Sequence, residues 1–406
     1  MLSEAKHLVP VQGDSSLTDA LRSLLRMALL AYRGRPLTMP MTRPFIVLGA
    51  GPAGLAAAIT LARGGGKVEV IEQRADVGGR YGGNLQLLTN YPDEHDAWEE
   101  LLALAPGIEL DLWPQRVATL YGPSGKPVRA VAGEPFGYLL RRGPGERMLD
   151  GALRRVAEQH GVVFRFAGRG LPERAQVVAT GGQAVQGVAR EWSGRVNLPD
   201  GFTVLFDNRY CPGGFGYLVV AEGNAVLGAA VVKRHDRIPE AFQSTADWFE
   251  TALGIPHIEA HSLVSGVDLF LSRSALGSHG EHYVGEAGGF CDFLFGFGIR
   301  LALQSGRLAA ESLLAGSYDY DRRWRGYYGR RFEMGLANRF LYETFGHWAY
   351  RRFIAKAAKT DFRTLGCGLS RPVWWRRMLV PMVKRLWGRR TPCVHGERCA
   401  WCRAVK

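Results

Sequence analysis

Three glycines and an acid carry the first readable chemistry of this chain. Gly49-x-Gly51-x-x-Gly54 follows the apolar run Phe45-Ile46-Val47-Leu48 and leads into a small-residue segment through Leu61. Gly64-Gly65-Gly66 ends that segment, Lys67 to Ile71 is a second apolar run, and Glu72 stands at its end. The order is that of a strand–helix–strand unit that holds a dinucleotide. The first glycine allows the tight turn, the second lets the backbone approach a pyrophosphate, and the third lets helix and strand pack closely. The helix start offers the free N–H groups that follow Pro52, from Ala53 on, and partial positive charge to the phosphates. Glu72 can accept hydrogen bonds from both ribose hydroxyls and disfavours a 2′-phosphate, which suits FAD or NAD rather than NADP. A tight turn without a ligand would explain the glycines but not the acid.

Glu72-Gln73-Arg74-Ala75-Asp76-Val77-Gly78-Gly79-Arg80 resembles the E-x5-G-G-R segment of the glutathione-reductase-type flavoproteins, which include amine oxidases and carotenoid desaturases. The resemblance implies FAD, with Gln73, Gly79 and Arg80 wrapped around it and the arginine near its phosphates. A second segment runs from Tyr283-Val284-Gly285-Glu286-Ala287-Gly288-Gly289-Phe290 to Gly296-Phe297-Gly298-Ile299, then Ser305-Gly306-Arg307 and Ala309-Ala310. It resembles the corresponding segment of the geranylgeranyl reductase family. That likeness implies that Glu286 bonds the ribityl chain and that Gly296, Gly298 and Ile299 bring a helix start against the flavin ring. The family has Asp where this chain has Glu286, a feature closer to the amine oxidases. Tyr210 to Tyr217 is similar to that family's P-x-x-Y-x-W cavity strand, with Phe215 and Tyr217 at the aromatic positions; by default such aromatics are core. Arg147-Met148-Leu149-Asp150 with Leu153 is similar to its helix start near the flavin, which puts Arg147 beside the cofactor. At Ala179-Thr180-Gly181-Gly182, Gly181 is expected on the cofactor. The G-A-D-G of related hydroxylases is absent there, which weighs against a hydroxylase.

These motifs need a frame. The expected fold class is α/β: a Rossmann-type FAD domain with an inserted antiparallel substrate sheet, similar to p-hydroxybenzoate hydroxylase, and a basic helical C-terminal region. The FAD domain is expected in three pieces, 43–90, 141–190 and 278–316. The substrate domain takes 91–140 and 191–277, and 317–406 forms the C-terminal region. Helices are expected at Met148–His160, Glu240–Leu253 and from Gly298 to about Gly316, and strands at Val162–Phe166 and Gln176–Ala179. Residues 1–42 form a separate extension with apolar residues at helical spacing from Leu17 to Leu29. Met39 and Met41, just before the first strand, leave open a later translation start.

Composition bounds the rest. A chain of 406 residues, 47% hydrophobic, builds a large core. Six cysteines make no disulfide scaffold. No run is long enough to span a membrane and no secretory signal is visible, so the expected location is cytoplasmic. From Asp319 onward, 21 Lys and Arg face 6 Asp and Glu, a local +15 that exceeds the +13 of the whole chain. Arg371 to Arg390 interleaves three tryptophans with aliphatic and basic residues around Pro381. Such a helix suits an anionic membrane surface; nucleic acid is the less favoured partner, and simple packing on the body is the structural alternative. Cys393, His395, Cys399 and Cys402 have the ligand types for zinc or an iron–sulfur cluster, against free thiols in a reducing cytosol. Cys211, Cys291 and Cys367 read as packed thiols.

The leading expectation, from the resemblance, is reduction of carbon–carbon double bonds in an isoprenoid or other lipid by hydride from reduced flavin. The alternatives are an amine-oxidase-like or desaturase-like oxidase, a flavin monooxygenase, and a flavin-bound redox adaptor. With no second G-x-G-x-x-G, the electron donor is expected to be NADPH without its own Rossmann site or a ferredoxin-like protein. No catalytic residue is assigned; Tyr81 and Tyr217 are the proton-donor candidates by position, and with Phe215 they are the expected substrate residues.

Overall fold

The computed structural model describes residues 43–387 apart from 92, 94, 183–186, 233, 256–261, 268–274 and 318, with only the backbone of 262–267 and 387. The expected N-terminal helix and the Cys393/His395/Cys399/Cys402 cluster lie outside the described residues. In chain order the first half forms β1 (Phe45–Leu48), α1 (Pro52–Arg63), β2 (Val68–Ile71), β3 (Leu85–Thr89), α2 (Ala97–Leu104), β4 (Leu112–Gln115), β5 (Val117–Tyr121), β6 (Pro127–Val131), β7 (Gly137–Arg141) and α3 (Leu149–Gln159). Then come β8 (Val163–Arg165), β9 (Val177–Val178), β10 (Gly187–Arg195), β11 (Gly201–Leu205), β12 (Phe215–Ala221), β13 (Asn224–Val231), α4 (Ile238–Leu253), β14 (Ser262–Val267) and β15 (His282–Tyr283). Five helices close the described chain: α5 (Ile299–Leu314), α6 (Tyr320–Phe345), α7 (His347–Ala357), α8 (Phe362–Ser370) and α9 (Trp374–Trp387).

β1 and β2 are short apolar runs with little alternation, the pattern of strands covered on both faces. They sit inside a five-stranded parallel sheet of order β15-β9-β1-β2-β8. α1 is rich in alanine and nearly all buried, because α5 presses against it on one side. Gly306 makes that contact possible: a Cβ there would come 2.1 Å from the Ala53 carbonyl oxygen.

The second sheet has seven strands, β14-β10-β13-β12-β11-β5-β6, and a three-stranded sheet β3-β7-β4 lies apart. The large sheet is antiparallel except where β11 runs parallel to β5. That exception arises because β5 and β6 come from residues 117–131, long before the rest of the sheet, and join its edge without a hairpin link. The architecture is the expected mixed α/β one: a Rossmann-like parallel sheet, a separate largely antiparallel sheet and C-terminal helices.

Buried arginines tie the C-terminal helices to the body. Arg300 on α5 donates to Glu100 on α2 at 2.6 Å and 3.0 Å and to the Asn90 carbonyl at 2.7 Å. Arg339 on α6 pairs with Glu343 at 3.0 Å and reaches the Leu294 and Gly213 carbonyls. Tyr342 donates to the Gly214 carbonyl at 3.0 Å, just ahead of β12. These bonds hold α6 against the seven-stranded sheet and set α7 and α8 over its aromatic face. Among the described residues, no helix is long and apolar enough to cross a membrane.

Candidate active site

The cradle is built by the turn after β1. Gly49 has φ +94°, and a Cβ there would sit 2.4 Å from the Ala179 carbonyl oxygen, so only glycine fits. Glu72 fixes the same turn: Oε2 accepts the Ala50 N–H at 2.8 Å and Oε1 the Arg74 N–H at 2.9 Å. α1 then begins with no side-chain cap and no acid in its first turn. Its N–H groups and partial positive charge are thus left for an anion.

A second helix start faces the same space. Gly285 donates to Ser305 Oγ at 2.9 Å, Gly296 has φ +78°, and α5 begins after Gly298 with no side-chain cap or first-turn acid. Gly51, Pro52, Ala53, Gly181, Glu286, Gly296, Gly298 and Ile299 all line one cavity of about 380 Å³. Burial pushes the Glu286 carboxyl up, while the charges of Arg80 and Arg142 and the Gly182 N–H oppose that shift. Two uncapped helix starts and a glycine with open space beside it fit a flavin dinucleotide; Glu72, predicted on the ribose, is not among the residues that line the cavity.

Several predicted residues stand elsewhere. Gly54 is beside the cavity rather than on it, as the close-packing glycine of the turn. Gln73 and Gly79 are exposed and off the cavity. Arg147 is also off it, a correction to the expected position. Its side chain is largely exposed and pairs with Asp111 at 2.5 Å and Glu109 at 3.7 Å. The arginine that does reach the cavity is Arg142, which the sequence reading missed. It makes two 2.8 Å bonds to buried Asp150 and lies 4.4 Å over the Tyr81 ring. Burial works against its charge, but Asp150, Tyr81 and Glu286 together outweigh burial and hold Arg142 well above its ordinary value.

Tyr81, Phe215 and Tyr217 line the cavity beyond the cradle. Phe215 packs against Phe206 and Phe295, with ring centroids 6.1 Å apart in both pairs. Phe353 of α7 and Phe362, Arg363, Gly366 and Leu369 around α8 close the far wall. Glu191 is a second residue that the sequence reading missed; it sits on β10 among mainly apolar cavity residues. Cys211, Cys291 and Cys367 are buried, and burial pushes the Cys211 thiol up to about 12, as suits packed thiols.

Comparison with known proteins bears on this geometry. Residues 47–84 match the family model of the NAD(P)-binding Rossmann-like domain. A digeranylgeranylglycerophospholipid reductase from Methanosarcina acetivorans is 24% identical, over 72% of this chain and 82% of its own length. A geranylgeranyl bacteriochlorophyll reductase-like protein from Thermoplasma acidophilum superposes with a TM-score of 0.65 at 17% identity, covering 85% of this chain and 98% of its own. The chain is geranylgeranyl-reductase-like in fold. The same fold extends to a flavin-dependent brominase, with a TM-score of 0.58 and 18% identity over 86% and 99% of the two chains. At these coverages the likeness in fold runs through the seven-stranded sheet and the helices as well as the cradle.

Proposed function

We propose that this protein is an FAD-dependent oxidoreductase that reduces carbon–carbon double bonds of an isoprenoid or other lipid. The observation that carries the reading is one cavity that joins a dinucleotide cradle to an apolar, largely aromatic chamber. Such a chamber takes a hydrocarbon chain by burial and has few groups to recognise a polar substrate. The reductase name of the Methanosarcina relative supports the same substrate class. Gly51 and the start of α1 would hold the pyrophosphate, Glu72 the ribose, Glu286 the ribityl chain, and the start of α5 the flavin ring. When bound and reduced, FAD supplies a hydride. Tyr81, held under the Arg142 guanidinium, and the aromatic walls would orient the alkene and exclude water. The electron donor is a reduced nicotinamide or a ferredoxin-type protein.

The brominase neighbour favours a second reading, a flavoenzyme that uses oxygen. Anaerobic mixing separates the two. Photoreduced holoprotein should be reoxidised by a digeranylgeranylglycerophospholipid without oxygen, and only slowly by air. Rapid air reoxidation with no response to the lipid would sink the reductase reading.

An anionic membrane is the proposed source of substrate. On α9, Val380 and Val383 are buried, whereas Trp374, Met378, Met382 and Leu386 are exposed at four-residue spacing. That spacing makes one apolar stripe along the helix, with Arg377, Lys384 and Arg385 exposed beside it. An apolar stripe flanked by cations is the design of a helix that lies in a headgroup layer. The double substitution Met378→Ser, Met382→Ser should weaken binding to phosphatidylglycerol vesicles about tenfold, with activity on detergent-dispersed substrate unchanged. Equal co-sedimentation of variant and wild type would remove α9 from membrane contact.

A further inference from the structure

Three residues fall in one row across the middle of the substrate sheet. Glu191 on β10 pairs with Gly228 on β13, and Gly228 pairs in turn with Tyr217 on β12. A Cβ on Gly228 would come 2.2 Å from Cζ of Tyr217 and 2.4 Å from its hydroxyl oxygen. The Tyr217 ring therefore lies across the bare backbone of the central strand. Over that gap its hydroxyl donates to Glu191 Oε1. The other carboxyl oxygen, Oε2, is buried without a hydrogen-bond partner. Both side chains line the cavity, as does Arg80.

An ionised carboxylate with one orphaned oxygen in an apolar wall is costly, and a neutral carboxyl is far less so. Burial pushes the Glu191 carboxyl up, offset in part by the Tyr217 hydrogen bond and the Arg80 charge. The strand neighbours facing it across the sheet, Gly228 and Leu263, are not titratable. Burial and then Glu191 hold the Tyr217 phenol well above its ordinary value, so it keeps its proton.

We propose that Tyr217 is the proton donor of the cavity and that Glu191 positions and resupplies it. The assignment rests on the reductase reading above. Saturating a double bond takes a hydride on one carbon and a proton on the other. Flavin reduced by a nicotinamide or ferredoxin-type donor supplies the hydride and both electrons. With Glu191 neutral the hydrogen bond reverses, so that its carboxyl O–H donates to the Tyr217 oxygen and the phenol O–H turns to the alkene. The Tyr217 O–H bond breaks as the new C–H bond forms, and the Glu191 proton moves to the phenolate. Glu191 is left as a carboxylate facing Arg80 and regains its proton from water. Gly228 is the space that lets the two side chains meet.

The test uses photoreduced holoprotein under anaerobic conditions, mixed with a digeranylgeranylglycerophospholipid in micelles, with flavin absorbance followed over a pH series. In the wild type the transfer rate should fall as pH rises through the raised Glu191 pKa. Glu191→Gln should be at least about 10²-fold slower and lose that pH dependence. Tyr217→Phe should show the same loss. Gly228→Ala, which displaces the ring but leaves both functional groups in the chain, should show it too. Infrared spectra of the flavin-free protein over the same pH series should contain a neutral-carboxyl band that persists above the range of an ordinary carboxyl and that Glu191→Gln removes. Transfer by Glu191→Gln at the wild-type rate and pH profile, or the absence of a Glu191-dependent band, overturns the donor pair alone. A wild type that leaves the lipid unreduced overturns the reductase reading, and the donor pair falls with it.

Discussion

Gly51→Val should give a folded, colourless protein. Gly51 precedes α1 with φ −80° and ψ 178°, extended backbone that any residue adopts. A Cβ there meets nothing within 4 Å, so the fold places no steric demand on this position. As a helix N-cap, valine is poorer than glycine by about 1 kcal/mol or less. The reason for a glycine is therefore external: the added side chain would occupy the space through which a pyrophosphate approaches the backbone. Hydrogen bonds to a charged phosphate are worth ~1.5–3 kcal/mol each. Loss of two would weaken FAD binding by about 10²- to 10⁴-fold. Titration of the apoprotein with FAD, read by quenching of flavin fluorescence, measures this directly, with thermal unfolding as the control. Gly54→Ala is the contrasting case. Its Cβ would lie 1.9 Å from the Gly49 carbonyl oxygen, so both stability and flavin binding should fail together. A yellow Gly51→Val protein with wild-type affinity would show that the dinucleotide does not lie on this turn.

Asp150→Asn should cost about 3–5 kcal/mol of stability, read as a lower urea midpoint. Asp150 is fully buried at the start of α3 and accepts from Nε and Nη2 of Arg142 and from the Gly143 N–H, the last at 3.0 Å. With the carboxylate gone, the buried guanidinium keeps Gln86 at 3.0 Å as its hydrogen-bond partner. A buried charge without its counter-charge is the costly state, whereas removing both members is milder. Arg142→Met with Asp150→Leu should accordingly recover much of the loss. The double variant should still bind flavin less well, because Arg142 lines the cavity and covers Tyr81. A single variant within 1 kcal/mol of wild type would mean that water reaches this pair.

The cradle was legible in the sequence because it depends on local order. Strand, glycine turn, helix, strand and acid follow one another within thirty residues, and each step leaves its own composition. Helices α3, α4 and α5 were legible for a similar reason, each lying within a residue or two of its expected bounds. Arg142 was hidden because Arg141 and Arg142 are indistinguishable in sequence, and only strand parity with long-range pairing buries one and leaves its neighbour half-exposed. Arg147 was misplaced because a motif resemblance fixes the neighbourhood of a helix start but not the direction of a long side chain at its edge. Glu191 left a usable trace. Gly187, Ala189 and Glu191 share one face of β10 by the two-residue alternation of a strand, and all three are buried, which puts an acid beside small buried residues. The row that joins it to Tyr217 through Gly228 was not readable, since register between strands lies outside any single segment. The separate β3-β7-β4 sheet was hidden on the same ground.

The strand order β15-β9-β1-β2-β8 also has a consequence for biosynthesis. Leu48 is bonded beside Val178, and Val177 beside His282, so each neighbour on that side arrives more than a hundred residues after the last. At ordinary translation rates β1 waits roughly ten seconds for its flanking strand, and the second glycine segment waits longer still. Until residue 299 has left the ribosome, only the α1 half of the nucleotide cradle exists. Cofactor capture is thus a late event in the life of the nascent chain, and until then the β9 side of β1 is an unpaired strand edge.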